Sequence, residues 1–292
     1  MYGATFVVRA YFIFLTSGLL IARMNPLTKR WMCYGKTLDE SNRHAFYRRS
    51  IFDYTVPKKW FIHFYVVSTI SNCFWIVQIC RCRFYGNCSL ITYFSLDTMQ
   101  SLYEVYVCVL FMSVHGVRRL YESVFIQKHS NARMWIGHYF LGMTYYLFCG
   151  LGMWCEGGGN LQNSEQTFNG LEHISKAVTV FLSVLVYIFF SWIQHSTHIS
   201  LSRLRLDPNA SRYSLPTSGL FKYLMCPHYI SEIGIYFSFV LATHIQNKTI
   251  FIIFIWVIVI LTISASETYR WYLRTFRIDA SYFSWIIFPG IY

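Results

Sequence analysis

Seven apolar blocks, each about 20 residues long, dominate this 292-residue sequence. They cover residues 2–22, 60–80, 101–117, 134–154, 174–193, 229–245 and 249–265. A helix of this length crosses the hydrocarbon core of a bilayer. Only 13% of the residues are charged, against about 25% in a soluble domain, so too few charges remain to cover a water-facing surface. The sequence predicts an all-α, polytopic membrane protein with seven transmembrane helices in one domain, residues 1–292.

The basic residues predict how these helices are oriented. Of the 25 Lys and Arg residues, twenty lie in alternate connections or after the last block, and three lie in the other connections. Cytosolic loops of membrane proteins are enriched in Lys and Arg. We therefore expect a lumenal N-terminus and a cytosolic C-terminus, with the first block kept as an uncleaved span although Arg9 lies within it. Topology and anionic lipid or phosphate then account for the net charge of +12, and no nucleic-acid partner is expected.

The predicted lumenal side offers few chemical features. The nine cysteines show no metal-binding spacing, so no metal site is expected. Three cysteines near one lumenal loop leave a disulfide open: Cys80, Cys82 and Cys88. Glycosylation sequons begin at Asn87 and Asn247, both very close to a membrane face. The glycine run at 157–159 most simply predicts a flexible lumenal loop, because it neither follows a strand nor begins a clear helix.

A polar segment follows the third block. On a helix, His115, Arg118 or Arg119, and Glu122 share one face, because residues three, four and seven apart are neighbours. This arrangement suits an anion site with an adjacent hydrogen-bond donor, and it equally suits a plain Arg–Glu ion pair. The basic and aromatic segment around Arg270, after the last block, is either an interfacial belt or part of the same site.

Two further polar pairs lie at the predicted cytosolic ends of the fifth and sixth blocks. Gln194 and His198 are one helical turn apart, and so are His228 and Glu232, which follow Pro227. Glu232 lies about one turn inside its apolar block, where a lipid-facing glutamate would be costly. These residues predict a polar cavity inside the helix bundle.

Together, these segments resemble the steroid 5-alpha-reductase family, and most closely its polyprenol-reductase branch. The matching segments are YGKT at 34–37, VPKKWFIHFYVVS at 56–68, HGVRRLYESVF at 115–125, SN at 130–131, YYLFCGL at 145–151, QHSTHISLSRLR at 194–205, LFKYLMCPHYISEIGIYFSF at 220–239 and RWYLRTF at 270–276. They follow one another over most of the chain. The CPHY segment with its downstream glutamate is the most specific of them.

The resemblance implies a seven-helix fold in the endoplasmic-reticulum membrane that opens to the cytosol and binds NADPH between its helices. It places residues 121–292 mainly around the cofactor and residues 1–120 mainly around the substrate. The residues that fall on cofactor positions are Lys36, Arg119, Asn131, Gln194, His198, Arg205, His228, Arg270 and Tyr272. Arg and Lys suit phosphate groups, while amide and imidazole side chains can orient a carboxamide or a ribose.

The implied reaction reduces the α-isoprene double bond of a long-chain polyprenal or polyprenol toward dolichal or dolichol, for protein N-glycosylation. The expected catalytic residues are His115, Tyr269 and Glu232, and the expected substrate-side residues are Asp53, Arg118 and Glu122. Gly116 stands where the steroid enzymes carry a tyrosine that polarises the substrate carbonyl, which leaves His115 or Tyr269 as the donor. Steroid enone reduction, enoyl-thioester reduction, methyl transfer and a seven-span receptor or carrier are the alternatives.

Overall fold

The computed structural model describes residues 3–25, 54–128, 132–162, 170–204, 214–279 and 282–290, with the backbone alone at 170–173. Within these ranges most of the chain is helical, and this agrees with the all-α prediction. The helices are α1 Ala4–Met24, α2 Phe61–Tyr85, α3 Ser89–Phe94, α4 Leu102–Tyr121, α5 Ile136–Gly152, α6 Gly158–Gln162, α7 Gly170–Arg203, α8 Pro227–Ala242 and α9 Lys248–Phe276.

Four of the described helical segments are long and apolar enough to cross a membrane, judged by length and composition alone: Ala4–Met24, Lys58–Tyr85, Ile174–Arg203 and Lys248–Phe276. Helices α5 and α8 have only 17 and 16 residues. Helix α4 is longer but carries three charged residues, Glu104, Arg118 and Arg119. The protein is therefore an all-α membrane protein in which the shorter and more polar helices pack among the apolar ones.

Local sequence signals explain where several helices begin and end. Ser101 and Glu104 form a capping box at the start of α4, so both backbone N–H groups at that end have acceptors. Pro227 stands in the first turn of α8, where its missing N–H costs nothing. Asn247 caps α9 by accepting a hydrogen bond from the backbone N–H of Ile250.

The bundle has two packed groups of helices. Helix α2 lies between α4 and α5, and α8 lies between α7 and α9. Helix α1 packs along α9, and contacts of α8 with α4 and of α1 with α5 join the two groups. Arg9 near the start of α1 donates to Thr249 at the start of α9 over 3.0 Å. Arg23 near the end of α1 pairs with Glu267 over 2.7 Å. The first and last helices therefore run in the same direction.

Two short strands were not expected from the sequence. Strand β1, Thr55–Pro57, pairs antiparallel with β2, Arg133–Trp135, in the register Val56 to Met134. Each strand leads directly into a helical segment, so their pairing ties the start of α2 to the start of α5. Met134 is fully buried at this junction.

The prediction of a flexible loop at 157–159 was wrong. Gly158 and Gly159 begin α6, and all three glycines are buried. A Cβ atom on Gly158 would lie 2.7 Å from the backbone oxygen of Ser95, and one on Gly157 would lie 2.7 Å from that of Gln100. The glycines are needed because two backbone segments approach closely here. Tightly packed backbone segments therefore close this end of the helix bundle.

Further contacts secure the same closed end. Arg9 pairs with Glu156 over 2.7 Å, and Glu156 is 1% exposed. Cys82 and Cys88 form a disulfide, the pairing among three candidates that the sequence left open. The Asn247 side chain is buried and also donates to Gln100, so its amide nitrogen is occupied inside the fold.

Candidate active site

Glu122 is the centre of a group of polar side chains at the C-terminal end of α4. It begins a π-helical turn, Glu122–Ile126, and its side chain is fully buried. Arg118 donates to one carboxylate oxygen over 2.6 Å, and Arg119 donates to the other. From α7, the Nδ1 atoms of His195 and His198 lie 2.8 and 2.7 Å from the same two oxygens. The shared helix face predicted for His115 to Glu122 is therefore present, and α7 completes it.

The surroundings of Glu122 keep it ionised. Burial by itself would raise the pKa of this carboxyl group. The hydrogen bond with His198 and the positive charge of Arg119 outweigh that effect, and they hold the pKa of Glu122 well below its usual range. His198 Nδ1 lies 2.7 Å from both Glu122 and the Arg119 guanidinium, so it can donate to the first or accept from the second, but not both.

A second carboxylate, Glu232 on α8, joins the same group. Gln194 donates to one of its oxygens, and His115 Nε2 lies 3.2 Å from the other. The carbonyl oxygen of Gln194 accepts from Arg118 over 2.5 Å, so Arg118 connects the two carboxylates. Only 19% of the Glu232 side chain is exposed, which agrees with the sequence prediction that it faces the protein interior.

We call this group the buried polar cluster: His115, Arg118, Arg119, Glu122, Gln194, His195, His198 and Glu232. Its two arginines and two carboxylates balance in charge, which offsets much of the cost of removing each charge from water. Three helices supply it, with α4 and α7 contributing their C-terminal ends and α8 its N-terminal end. The cluster therefore lies at one end of the bundle, opposite the closed end described above.

Tyr65 belongs to the site, although the sequence did not single it out. Its hydroxyl accepts a hydrogen bond from Arg119 over 2.6 Å, and the Arg119 guanidinium lies 4.8 Å from its ring centroid. The ring of Tyr146 on α5 stands 5.7 Å away, edge to face. Tyr65 lies in an apolar block that contains several aromatic residues, so no spacing distinguishes it from a packing residue. His195 lies between the predicted site residues Gln194 and His198, but it was not itself predicted as a site residue.

His228 lies in the first turn of α8, next to the buried polar cluster. Its ring centroid is 6.0 Å from that of His198 and 6.3 Å from that of Phe221. It therefore lies on the same helix as Glu232, one helical turn before it, as the sequence spacing predicted.

The remaining candidates near the C-terminus form a second group on α9. Arg270 pairs with Glu267 over 3.2 Å, and 44% of its side chain is exposed. Tyr272 is buried among aromatic rings, with those of Trp271 and Phe283 at 5.3 and 6.1 Å. Tyr269 lies on the same helical turns and is partly buried against the core. An exposed arginine beside a buried tyrosine suits the phosphate and ring of a nucleotide.

Four predicted site residues lie outside the described residues: Lys36, Asp53, Asn131 and Arg205. Their roles stay predictions.

Within the described ranges, no group of three or more His, Cys, Asp or Glu side chains is placed to hold a metal ion.

The donor set of the buried polar cluster fits a nicotinamide. Glu232 has a carboxylate that can accept from the N–H of a carboxamide, and Gln194 holds that carboxylate in place, with its NH₂ group on Glu232 and its oxygen on Arg118. The arginines of the cluster are already paired with Glu122, so the phosphates of a dinucleotide would rely on other cations. Arg270 has the required exposure.

Comparison with known proteins gives the family of the chain. The family described as 3-oxo-5-alpha-steroid 4-dehydrogenase matches residues 132–292, more than half of the chain. The chain belongs to this family. The matched region contains α7 and α8, which supply Gln194, His195, His198 and Glu232 to the cluster, while α2 and α4 lie before it.

Curated relatives resemble the chain over most of its length. A polyprenal reductase from Caenorhabditis elegans is 27% identical over 288 residues, which cover 91% of each chain. One from Saccharomyces cerevisiae is 28% identical and covers 84% of this chain and 79% of its own. Polyprenal reductase 2 from Oryza sativa subsp. indica is 28% identical and covers 77% and 76%. The chain is therefore a membrane oxidoreductase of the 3-oxo-5-alpha-steroid 4-dehydrogenase family, with similarity to reductases that extends beyond the family match.

Proposed function

We propose that this protein is an NADPH-dependent polyprenal reductase. It reduces the carbon–carbon double bond of the α-isoprene unit and converts polyprenal to dolichal. The observation that carries the proposal is the carboxylate–amide pair of Glu232 and Gln194, largely buried at one end of an apolar bundle, in a chain that aligns along nearly its whole length with a polyprenal reductase.

The chemistry favours the aldehyde over the alcohol as substrate. Hydride does not readily add to an isolated double bond, because the resulting carbanion has nowhere to place its charge. In an α,β-unsaturated aldehyde the charge moves onto the carbonyl oxygen, where hydrogen-bond donors can stabilise it. Oxidation of the polyprenol and reduction of the dolichal are then steps for another enzyme.

We propose that the residues divide the work as follows. Bound NADPH supplies a hydride to the β-carbon of the substrate. Glu232 and Gln194 orient the carboxamide of the nicotinamide, with His115 and His198 completing the wall around it. Arg270, Tyr272 and His228 hold more distant parts of the cofactor, together with Lys36, Asn131 and Arg205. Arg118 and Glu122 act at the substrate end by fixing the neighbouring side chains, and Asp53 keeps its predicted role on the substrate side.

The apolar surfaces of the helices suit the long prenyl tail of this substrate, which would extend between them into lipid. Seven membrane crossings, a lumenal N-terminus and a cytosolic C-terminus in the endoplasmic reticulum complete the proposal. The parallel course of α1 and α9 supports an odd number of crossings. In that orientation the buried polar cluster opens toward the cytosol, and dolichol made there serves protein N-glycosylation.

The test is turnover by the purified full-length chain with a panel of substrates. Polyprenal, polyprenol, a steroid enone and an enoyl-CoA are each offered with NADPH and with NADH. We expect polyprenal with NADPH to be reduced fastest. Faster reduction of the steroid enone would make the chain a steroid reductase and refute the proposed substrate.

A further inference from the structure

Gly116 on α4 leaves no room for a catalytic hydroxyl at its position. A Cβ atom there would lie 2.8 Å from the Ser68 hydroxyl on α2, closer than a side chain can approach without displacing it. Ser68 is itself fully buried. Position 116 therefore supplies no hydroxyl to polarise the substrate carbonyl.

The two donors expected from the sequence are poorly placed for this task. His115 is fully buried, with Nε2 at 3.2 Å from Glu232 and Nδ1 at 3.3 Å from Arg118, so both ring nitrogens face charged protein groups. Tyr269 lies on α9, in the group with Arg270 and Tyr272. A proton on His115 Nε2 would face the Glu232 carboxylate rather than a substrate, and Tyr269 lies outside the buried polar cluster.

Tyr65 on α2 has the required geometry. Its oxygen accepts from Arg119 over 2.6 Å, which directs the O–H proton away from the guanidinium. Among the described residues, none accepts that proton. Tyr65 is 8% exposed, and Arg119 joins it to the buried polar cluster that also contains Glu232, the residue assigned to the nicotinamide.

Arg119 is held in place for this contact. Glu122 accepts from Arg119 Nη1, while Arg119 Nη2 reaches Tyr65. The same guanidinium lies over the Tyr65 ring, so the phenol is fixed at both its ring and its oxygen. A positive charge beside the oxygen also stabilises the phenolate that remains after proton transfer.

We propose that Tyr65 is the catalytic residue that donates a proton to the substrate carbonyl oxygen, and that Glu122 and Arg119 are its positioning residues. The inference rests on the proposed reduction of an enal. As hydride reaches the β-carbon, the double-bond electrons form a new bond between the α-carbon and the carbonyl carbon. The carbonyl π electrons move to oxygen, which takes the Tyr65 proton. Water reprotonates the phenolate and is left as hydroxide. The enol then takes a proton from water at its α-carbon and gives up its O–H proton, so that one proton from water is consumed for each hydride.

The first experiment compares Tyr65→Phe with Tyr11→Phe in the purified full-length protein. The Tyr11→Phe change also removes one hydrogen bond, the 2.8 Å contact between the Tyr11 hydroxyl and Thr144. Tyr11 lies on α1, away from the buried polar cluster. We expect Tyr65→Phe to lower kcat for polyprenal by about 100- to 1,000-fold, the usual effect of removing one oxyanion donor. NADPH affinity, measured by equilibrium binding, should not change. Tyr11→Phe should leave both kcat and NADPH affinity unchanged.

The second experiment detects the hydrogen bond from Tyr65 to the substrate carbonyl oxygen in the absence of turnover. Polyprenal labelled with ¹³C at the carbonyl is bound to each variant without cofactor, and its carbonyl stretching frequency is measured by difference infrared spectroscopy. A hydrogen bond to the oxygen lowers this frequency. We expect the lowered frequency in the wild type and in Tyr11→Phe, and its loss in Tyr65→Phe. Incorporation of 3-fluorotyrosine at position 65 should lower it further, since the more acidic phenol is the stronger donor.

The outcomes separate this inference from the proposed function. No reduction of polyprenal by the wild type would overturn the proposed function, and the role of Tyr65 with it. Wild-type reduction together with normal kcat and an unchanged carbonyl frequency in Tyr65→Phe would overturn the role of Tyr65 alone. If Tyr65→Phe does not fold, the test rests on the protein with 3-fluorotyrosine at position 65. An unchanged carbonyl stretching frequency in that protein refutes the inference.

Discussion

Replacement of Glu122 by glutamine should destabilise the protein strongly. The Glu122 side chain is fully buried and binds two arginines whose own side chains are 17% and 10% exposed. The amide keeps the size of the carboxylate but removes its charge, and its NH₂ group must face a cationic or donor group. Removing one partner of a buried ion pair costs about 3–5 kcal/mol, because the remaining charge is left uncompensated. We expect the free energy of unfolding to fall by about that amount.

Glu267 provides a matched control. It also binds two arginines, Arg23 and Arg270, but these are 22% and 44% exposed and Glu267 is 15% exposed. Solvent screens such pairs, so Glu267→Gln should cost about 1 kcal/mol or less. Equilibrium unfolding of both variants in the same detergent gives the comparison. An equal or smaller loss for Glu122→Gln would refute the view that Glu122 holds the cluster together.

The pH dependence of the same comparison gives a second check. The folded-state pKa of Glu122 is lowered, so its contribution is present above the unfolded-state pKa of about 4.3 and is lost as pH falls toward the folded-state value. The difference in stability between the wild type and Glu122→Gln should therefore be constant near neutral pH. It should shrink progressively as the solution is made more acidic than that pKa.

Three further predictions test the site, the closed end and the topology. Glu232→Gln should leave a monodisperse protein in detergent and abolish most polyprenal reduction; near-normal turnover would place Glu232 outside the site. Gly158→Ala should cost about 1–3 kcal/mol of unfolding free energy, whereas Gly18→Ala, whose Cβ meets nothing within 4 Å, should cost none; equal effects would contradict the close backbone packing. A tag after Tyr292 should be digested by protease in sealed microsomes, and its protection would overturn the orientation.

The membrane class and much of the site could be predicted because both depend on local patterns. Block length and charge content predicted a helical membrane protein without any knowledge of packing. Helical spacing put His115, Arg118 and Glu122 on one face, and the position of Glu232 inside an apolar block indicated that its side chain faces the protein interior. In each of these cases the sequence neighbourhood contains the physical reason.

Features that depend on contacts between distant segments could not be predicted. The role of Tyr65 arises from Arg119 on another helix, and nothing near Tyr65 in the sequence indicates it. Gly158 was misread because a glycine run signals flexibility as readily as close packing, and only the approach of Ser95 distinguishes the two. The two strands that pair Val56 with Met134 are too short to show the alternating residue pattern by which a strand is recognised in a sequence.

The central claim is that this site delivers hydride to a carbon–carbon double bond conjugated with an aldehyde. The direct measurement is the position of deuterium in the product when the purified protein reduces polyprenal with NADPH deuterated at the transferable C4 hydrogen. We expect dolichal that carries one deuterium, on the β-carbon of the α-isoprene unit. Deuterium on the aldehyde carbon, with the double bond intact, would show carbonyl reduction and contradict the account.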